Sequence, residues 1–247
     1  MSSANSLFFK CTKTYPLFKT IFLYYNIYVR NLKFFFNNSQ FGEDKKILKL
    51  FKNKRKGIYL DLGCFHPIRQ NNTYLLHKLG WKGINIDLNP LAIDLFNIAR
   101  PNDINICSAI SGKKGTKNLF FDHELSSLNT INKNHTLFLK KAFGKTNLKK
   151  RKIKTNTLNN ILKKHNIKKI DFMNIDIEGN ELEVLKTLNL KKIEIRVICI
   201  EIVNYQIYSK NIKINKKKIF NILKKNNYSL KFKTFVNYIF IKNEYKI

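Results

Sequence analysis

The 247-residue chain has only 16 acidic side chains against a net charge of +31, yet Asp176, Glu178 and Glu181 fall within six residues. They stand in Asn174-Ile175-Asp176-Ile177-Glu178-Gly179-Asn180-Glu181, directly after an apolar run over 170–175. In a chain so rich in lysine, carboxyls gathered at a strand end are candidates for acid–base work. Glu178 and Glu181 also suit the start of the following helix, where they complement its dipole. Two further acids close apolar runs: Asp61 in Tyr59-Leu60-Asp61-Leu62-Gly63, and Asp87 in Ile84-Asn85-Ile86-Asp87. An acid ending the second strand of a nucleotide-binding unit accepts hydrogen bonds from both hydroxyls of a ribose. Asp176, Glu178 and His66 are the candidate proton acceptors. His66 reads alternatively as a loop histidine bonded to backbone.

These residues need a scaffold that brings strand ends together. Short runs rich in Ile and Val, bounded by Gly, Pro, Asn or Asp, predict strands at about 58–61, 83–87, 104–109, 170–175 and 196–202. Leu91, Leu95, Phe96 and Ala99 share one helical face between them, as do Leu182, Leu185 and Leu188. The alternation implies an α/β fold with a parallel sheet covered on both faces, whose ligands bind outside the carboxyl ends of the strands. Ile219, Ile222 and Leu223 mark a last helix, and 228–232 with 236–241 read as a closing hairpin. Residues 112–168 interrupt the alternation and predict an insertion over the crevice, with a strand at 118–122 and a helix at 157–165.

The first loop keeps only Gly63 of a Gly-x-Gly-x-x-Gly pattern. A pyrophosphate needs the close backbone approach that the missing glycines would allow, so NAD and FAD are disfavoured. Adenosylmethionine has no phosphate; it asks for an acid at its ribose, partners for its methionyl amine and carboxylate, and a negative environment at its sulfonium. Asp61, Asp87 and the acids after 170–175 can supply these. Ser108 and Ala109, ending the third run, are expected near the adenine. Thr73, Ser127 and Asn129 are expected on the rim, against cofactor tail or acceptor. Cys11, Cys64, Cys107 and Cys199 show no metal-ligand spacing and no pairing pattern, which points to free thiols in a reducing, cytoplasmic compartment.

With these residues in order, the chain resembles the FkbM family of adenosylmethionine-dependent methyltransferases over about 39–205. The resemblance rests on Ser39-Gln40-Phe41-Gly42-Glu43-Asp44, Tyr59-Leu60-Asp61-Leu62-Gly63, His66-Pro67 and Asn72-Thr73. It continues in Gly80-Trp81-Lys82-Gly83-Ile84-Asn85-Ile86-Asp87, Arg100-Pro101, Asp103-Ile104-Asn105, Ser127-Leu128-Asn129-Thr130 and Asp176 to Glu181. Cys64 stands where a small alanine is usual. The resemblance implies a Rossmann-like class I methyltransferase fold: a mostly parallel seven-stranded sheet with a C-terminal antiparallel hairpin. It also implies methyl transfer from S-adenosyl-L-methionine to a sugar hydroxyl of a glycan or related natural product. Asp61, Gly63, Asp87, Ser108, Ala109 and Asp176 are then the expected cofactor-binding residues, Asp176, Glu178 and His66 the catalytic ones, and Thr73, Ser127, Asn129 and Glu181 the substrate-binding ones.

The charge itself admits another partner. A strongly basic chain suits nucleic acid, which makes an RNA methyltransferase the competing enzyme reading. Against it, only six of the 47 basic residues are arginine, the usual reader of phosphates and bases. The lysines travel with Asn, Ile and Phe along the whole chain, as AT-rich coding would produce. Residues 1–38 form an apolar and basic helical extension ahead of the domain at 39–247. That extension reads either as a helix packed on the domain or as a peripheral contact with the inner face of a membrane. A noncatalytic, membrane-associated scaffold that retains the fold is the third reading.

Overall fold

A computed structural model describes residues 16–35, 39, 41–51, 56–124, 126–203 and 212–245. The strands are β1 (Ile58–Leu62), β2 (Lys82–Asp87), β3 (Ile104–Cys107), β4 (Ala109–Ile110), β5 (Gly115–Phe121), β6 (Lys149–Asn156), β7 (Lys169–Ile175), β8 (Glu194–Glu201), β9 (Tyr228–Lys233) and β10 (Asn237–Lys242). The helices are α1 (Pro16–Tyr24), α2 (Glu43–Leu50), α3 (Tyr74–Lys78), α4 (Pro90–Ala99), α5 (Lys133–Phe143), α6 (Leu158–Lys164), α7 (Glu181–Thr187) and α8 (Ile212–Lys225).

Seven strands form one sheet in the order β3-β2-β1-β7-β8-β10-β9, parallel except for β10, which runs antiparallel to β8 and β9. The strand residues alternate between the two faces with the period of two that a pleat dictates. Leu60, Leu62, Met173, Ile175, Ile198 and Ile200 pack with α6, α7 and α8 on one face. Tyr59, Phe172, Val197 and Cys199 pack with Ile47 and Leu50 of α2 on the other. Both faces are covered, so β1 and β7 read in sequence as nearly unbroken apolar runs. This is the doubly wound architecture that the resemblance implies, closing hairpin included.

Local chemistry sets the helix boundaries near the sheet ends. Asn89 caps α4 by accepting from the Leu91 amide at 3.0 Å, with Pro90 at the first helical position. Asn132 caps α5 in the same way, and Gly144, at φ 62°, ends it. Among the N-terminal residues, α1 and the turns after it bury Leu23 and Ile27 against Ile68, Leu91 and Leu95. No helix among the described residues is long and apolar enough to cross a membrane.

Two expectations need correcting. The run 104–109 is not one strand: β3 leaves the main sheet at Ser108, and β4 pairs with β6 in a separate three-stranded sheet, β4-β6-β5. The insertion is also shorter than 112–168, because α6 buries Leu158, Ile161 and Leu162 in the main core. The part that stands apart from the core ends with β6.

Candidate active site

Between β1 and β7 the strand order reverses, which is where a doubly wound sheet leaves its crevice. A cavity of about 1200 Å3 opens there, lined from β1, β2, β7, β8, the 126–131 loop, α8 and the β9–β10 turn. That exceeds the roughly 300–1,000 Å3 of a site for one small molecule. Five non-glycine residues of the described chain have positive φ, and three of them, Phe65, Gln70 and Glu178, line this cavity. Backbone held in so unfavourable a region is a mark of functional loops.

Asp61 and Asp87 anchor one half. Asp61 is buried and accepts from Thr73 Oγ1 at 2.9 Å, Asn71 Nδ2 at 3.1 Å and Asn174 Nδ2 at 2.9 Å. Behind this shell, the fully buried Arg100 donates to Tyr59 Oη, Thr73 Oγ1 and Asn71 Oδ1, each at 2.9 Å, and to the Pro67 carbonyl. Its guanidinium lies 4.8 Å from the centre of the Phe96 ring. Asp87 accepts one backbone amide on each oxygen, from Phe65 at 2.9 Å and Asn89 at 2.7 Å. Burial nonetheless raises it to about 6. Each oxygen keeps acceptor capacity for a hydroxyl.

Gly63 joins the halves. Its φ is 76°, and a Cβ there would lie 1.7 Å from the Asp176 carbonyl oxygen, so no other residue fits this crossing. Asp176 and Glu201 hydrogen-bond to each other, and burial raises both well above the ordinary carboxyl range. Like charges brought this close share a proton instead of both ionising. Glu178, at φ 53°, presents Oε2 3.0 Å from Nε2 of His135 in α5. Burial raises Glu178 to about 8 and lowers His135 to about 4, so near neutral pH the carboxyl carries the proton. Thr130 Oγ1 donates to the Glu178 carbonyl at 2.7 Å and holds the loop.

Of the predicted residues, Asp61, Gly63, Asp87, Ser108, Ser127, Asn129, Asp176 and Glu178 line the cavity. Four others do not. His66 is buried, its Nδ1 accepts the amides of Ile68 and Arg69 at 3.1 and 2.9 Å, and its Nε2 meets Asn31 at 3.1 Å. Burial lowers it to about 3, so it is a neutral loop residue. Thr73 is fully buried beneath Asp61 and does not reach the rim. Glu181 turns back to accept the amides of Ile177 and Gly179 at 3.2 and 2.9 Å, fixing the loop that carries Glu178. Ala109 is buried in β4 against Leu119 and Phe121, a consequence of the break at Ser108.

Sequence reasoning missed His135, which sits in a lysine-rich helix with no motif around it, and the wall formed by Phe41, Lys216, Lys233 and Phe235. Glu201, the last residue of the mostly apolar β8, also lines the cavity.

Residues 56–230, more than half of the chain, match the sequence profile of the methyltransferase FkbM domain. The chain belongs to the FkbM methyltransferase family. It is therefore an adenosylmethionine-dependent methyltransferase. No curated protein matches it. Among solved structures it is similar to the fibrillarin pre-rRNA processing protein of Methanococcus jannaschii, at 14% identity and a TM-score of 0.40, covering 77% of this chain and 68% of that one. It is also similar to a SAM-dependent methyltransferase from Aquifex aeolicus, at 12% identity and a TM-score of 0.38, covering 88% and 93%.

The residues present fit this cofactor. Asp87 has two oxygens with remaining acceptor capacity at the end of β2. Asn129 Oδ1 is buried on the cavity wall with no hydrogen-bond partner among the described residues, an acceptor suited to an exocyclic amine. Around Asp61 and Asp176 the cavity is lined by carboxyls, which suit a cationic ligand end.

Proposed function

We propose that this enzyme methylates a hydroxyl of a sugar in a glycan or related natural product. The observation that carries the reading is the Glu178–His135 pair at the end of β7, facing a cavity larger than one ligand needs and rimmed by Phe41 and Phe235. A hydroxyl must lose its proton as its oxygen attacks, and Glu178 is placed to accept it. Exposed aromatic rings offer the flat apolar face on which a sugar ring stacks.

Bound adenosylmethionine supplies an electrophilic methyl carbon. In this reading Asp87 holds the ribose, Ser108, Ser127 and Asn129 flank the adenine, and Asp61 and Asp176 face the methionyl end. Arg100, Thr73 and Asn71 keep Asp61 in place. Alignment and exclusion of water are the main work such a site performs. Because Glu178 must be ionised to act as a base, turnover rises with pH through about 8. Methyl transfer to a sugar panel, measured by mass against pH for wild type and Glu178→Gln, tests this. A pH profile unaltered by the substitution would remove Glu178 from the role.

A membrane contact is supported by a separate observation. Leu17 is 70%, Val29 60% and Leu32 61% exposed along one N-terminal stretch that also carries Arg30 and Lys33. Apolar side chains beside basic ones suit an anionic lipid surface. Vesicles of phosphatidylglycerol should pull down wild type and release Leu17→Glu/Val29→Glu, while phosphatidylcholine vesicles bind neither. Equal partitioning of the two proteins would reject the contact.

A further inference from the structure

The cavity has a cationic wall that the methyl-transfer reading leaves unused. Lys216 and Lys217 of α8 and Lys233 at the end of β9 all line it. The Nζ atoms of Lys216 and Lys233 lie 4.9 and 5.6 Å from the centre of one ring, that of Tyr238. Among the described residues none of the three lysines is in an ion pair, whereas Lys19, Lys145, Lys169, Lys186 and Lys242 each are. Cations converging on one ring without a counter-charge repel each other, and an anion among them relieves the repulsion. The carboxyls of Asp176, Glu178 and Glu201 share the cavity, but Asp176 and Glu201 hydrogen-bond each other and Glu178 meets His135, so none of them pairs with these lysines among the described residues.

The wall stands far from Asp87, the residue suited to the ribose of the cofactor. From β2, where Asp87 sits, β10 is the fourth neighbour through β1, β7 and β8. At the usual spacing of roughly 4.8 Å between strands, that is about 19 Å across the sheet. The lysines therefore face the space left for the acceptor. The apolar side of that space is Phe41 and Phe235, 40% and 79% exposed, with ring centres 5.4 Å apart. A sugar ring and a compact anion are the two chemistries that this wall and this rim accept side by side.

We infer that the acceptor carries a phosphoryl group on or beside the sugar that is methylated, held by Lys216, Lys217 and Lys233 while the ring rests against Phe41 and Phe235. A phosphoryl group brings nearly two negative charges and three acceptor oxygens, which match three ammonium donors better than a single carboxylate does. The inference rests on the sugar-hydroxyl reading. The group belongs either to a free sugar monophosphate, which brings that full charge, or to a lipid-linked phosphodiester, which brings one charge and two free oxygens.

Full-length enzyme is given adenosylmethionine and matched acceptors: neutral hexoses, the corresponding hexose 1-phosphates, and a polyprenyl-linked hexose phosphate in micelles. A preference of at least about tenfold in kcat/KM for phosphorylated over neutral acceptors is expected, and Lys216→Gln/Lys217→Gln/Lys233→Gln should lose it with the thermal midpoint intact. Preference for the free or the linked phosphate identifies the source. Equal use of neutral and phosphorylated sugars, or a preference that survives the triple substitution, would overturn the inference but leave the sugar reading standing. If no sugar is methylated, calorimetric titration of pyrophosphate into enzyme loaded with S-adenosylhomocysteine tests the wall alone. Binding there that the triple variant loses supports the phosphoryl site; no binding overturns it, as does methylation of an RNA oligonucleotide in place of any sugar.

Discussion

The two halves of the cavity are built on opposite principles. On the β1–β2 side, Asp61 accepts three side-chain hydrogen bonds, Arg100 reinforces them from beneath, and Asp87 takes a backbone amide on each oxygen. On the β7–β10 side, acids share protons, Lys216, Lys217 and Lys233 form no ion pair among the described residues, and aromatic rings lie open. A ligand of fixed structure rewards a site whose polar groups are already oriented, whereas charges left unsatisfied are satisfied by what arrives. On the proposed reading, the contrast separates a half that recognises a constant partner from a half that does chemistry on a variable one.

Substitutions can separate the halves. The largest expected effect is on chemistry: Glu178→Gln should lower kcat by roughly 10²–10⁴-fold, with adenosylmethionine affinity by calorimetry nearly unchanged. Next is the buried cation: Arg100→Ala leaves Asp61 without its countercharge and should cost about 3–5 kcal/mol of stability in denaturant titration. Asp87→Asn should weaken adenosylmethionine binding by about 10–100-fold, the scale of one or two hydrogen bonds to a charged group, without moving the preference among acceptors. Wild-type binding should weaken as pH falls through about 6, where Asp87 gains its proton, by up to about tenfold per pH unit below that point. The smallest expected effect is Asn129→Ala, about three- to tenfold in cofactor affinity. Should Asp87→Asn alter acceptor preference as strongly as cofactor affinity, the division into halves would fail.

The same division explains what the sequence made legible. Asp61, Gly63, Asp87, Asp176 and Glu178 stand at the ends of apolar runs, so a reading of strands places them at once. The parallel core and the closing hairpin followed from periodicity alone. His66 and Thr73 lie in the loop after β1, where His66 accepts loop amides and Thr73 bonds Asp61 from beneath the cavity. Only three-dimensional bonding separates such a residue from its neighbour. β6, Lys149–Asn156, carries too many lysines to resemble a strand because most of it is exposed and it gains its order from pairing with β5. His135 reaches Glu178 across more than 40 positions, a tertiary contact that no local pattern encodes.

The stack of Arg100 on Phe96 has a wider meaning in a chain so poor in arginine. Arg69, Arg100, Arg151 and Arg196 each hold their guanidinium 4.5–5.0 Å from an aromatic centre, those of Phe65, Phe96, Phe121 and Tyr245. Arg151 and Arg196 also reach the carboxylates of Glu124 and Asp171. A flat, delocalised cation stacks and forks where an ammonium can do neither. When lysine is the default base, the rare arginine becomes informative: its position in the bare sequence marks where the fold needs a plane and not merely a charge.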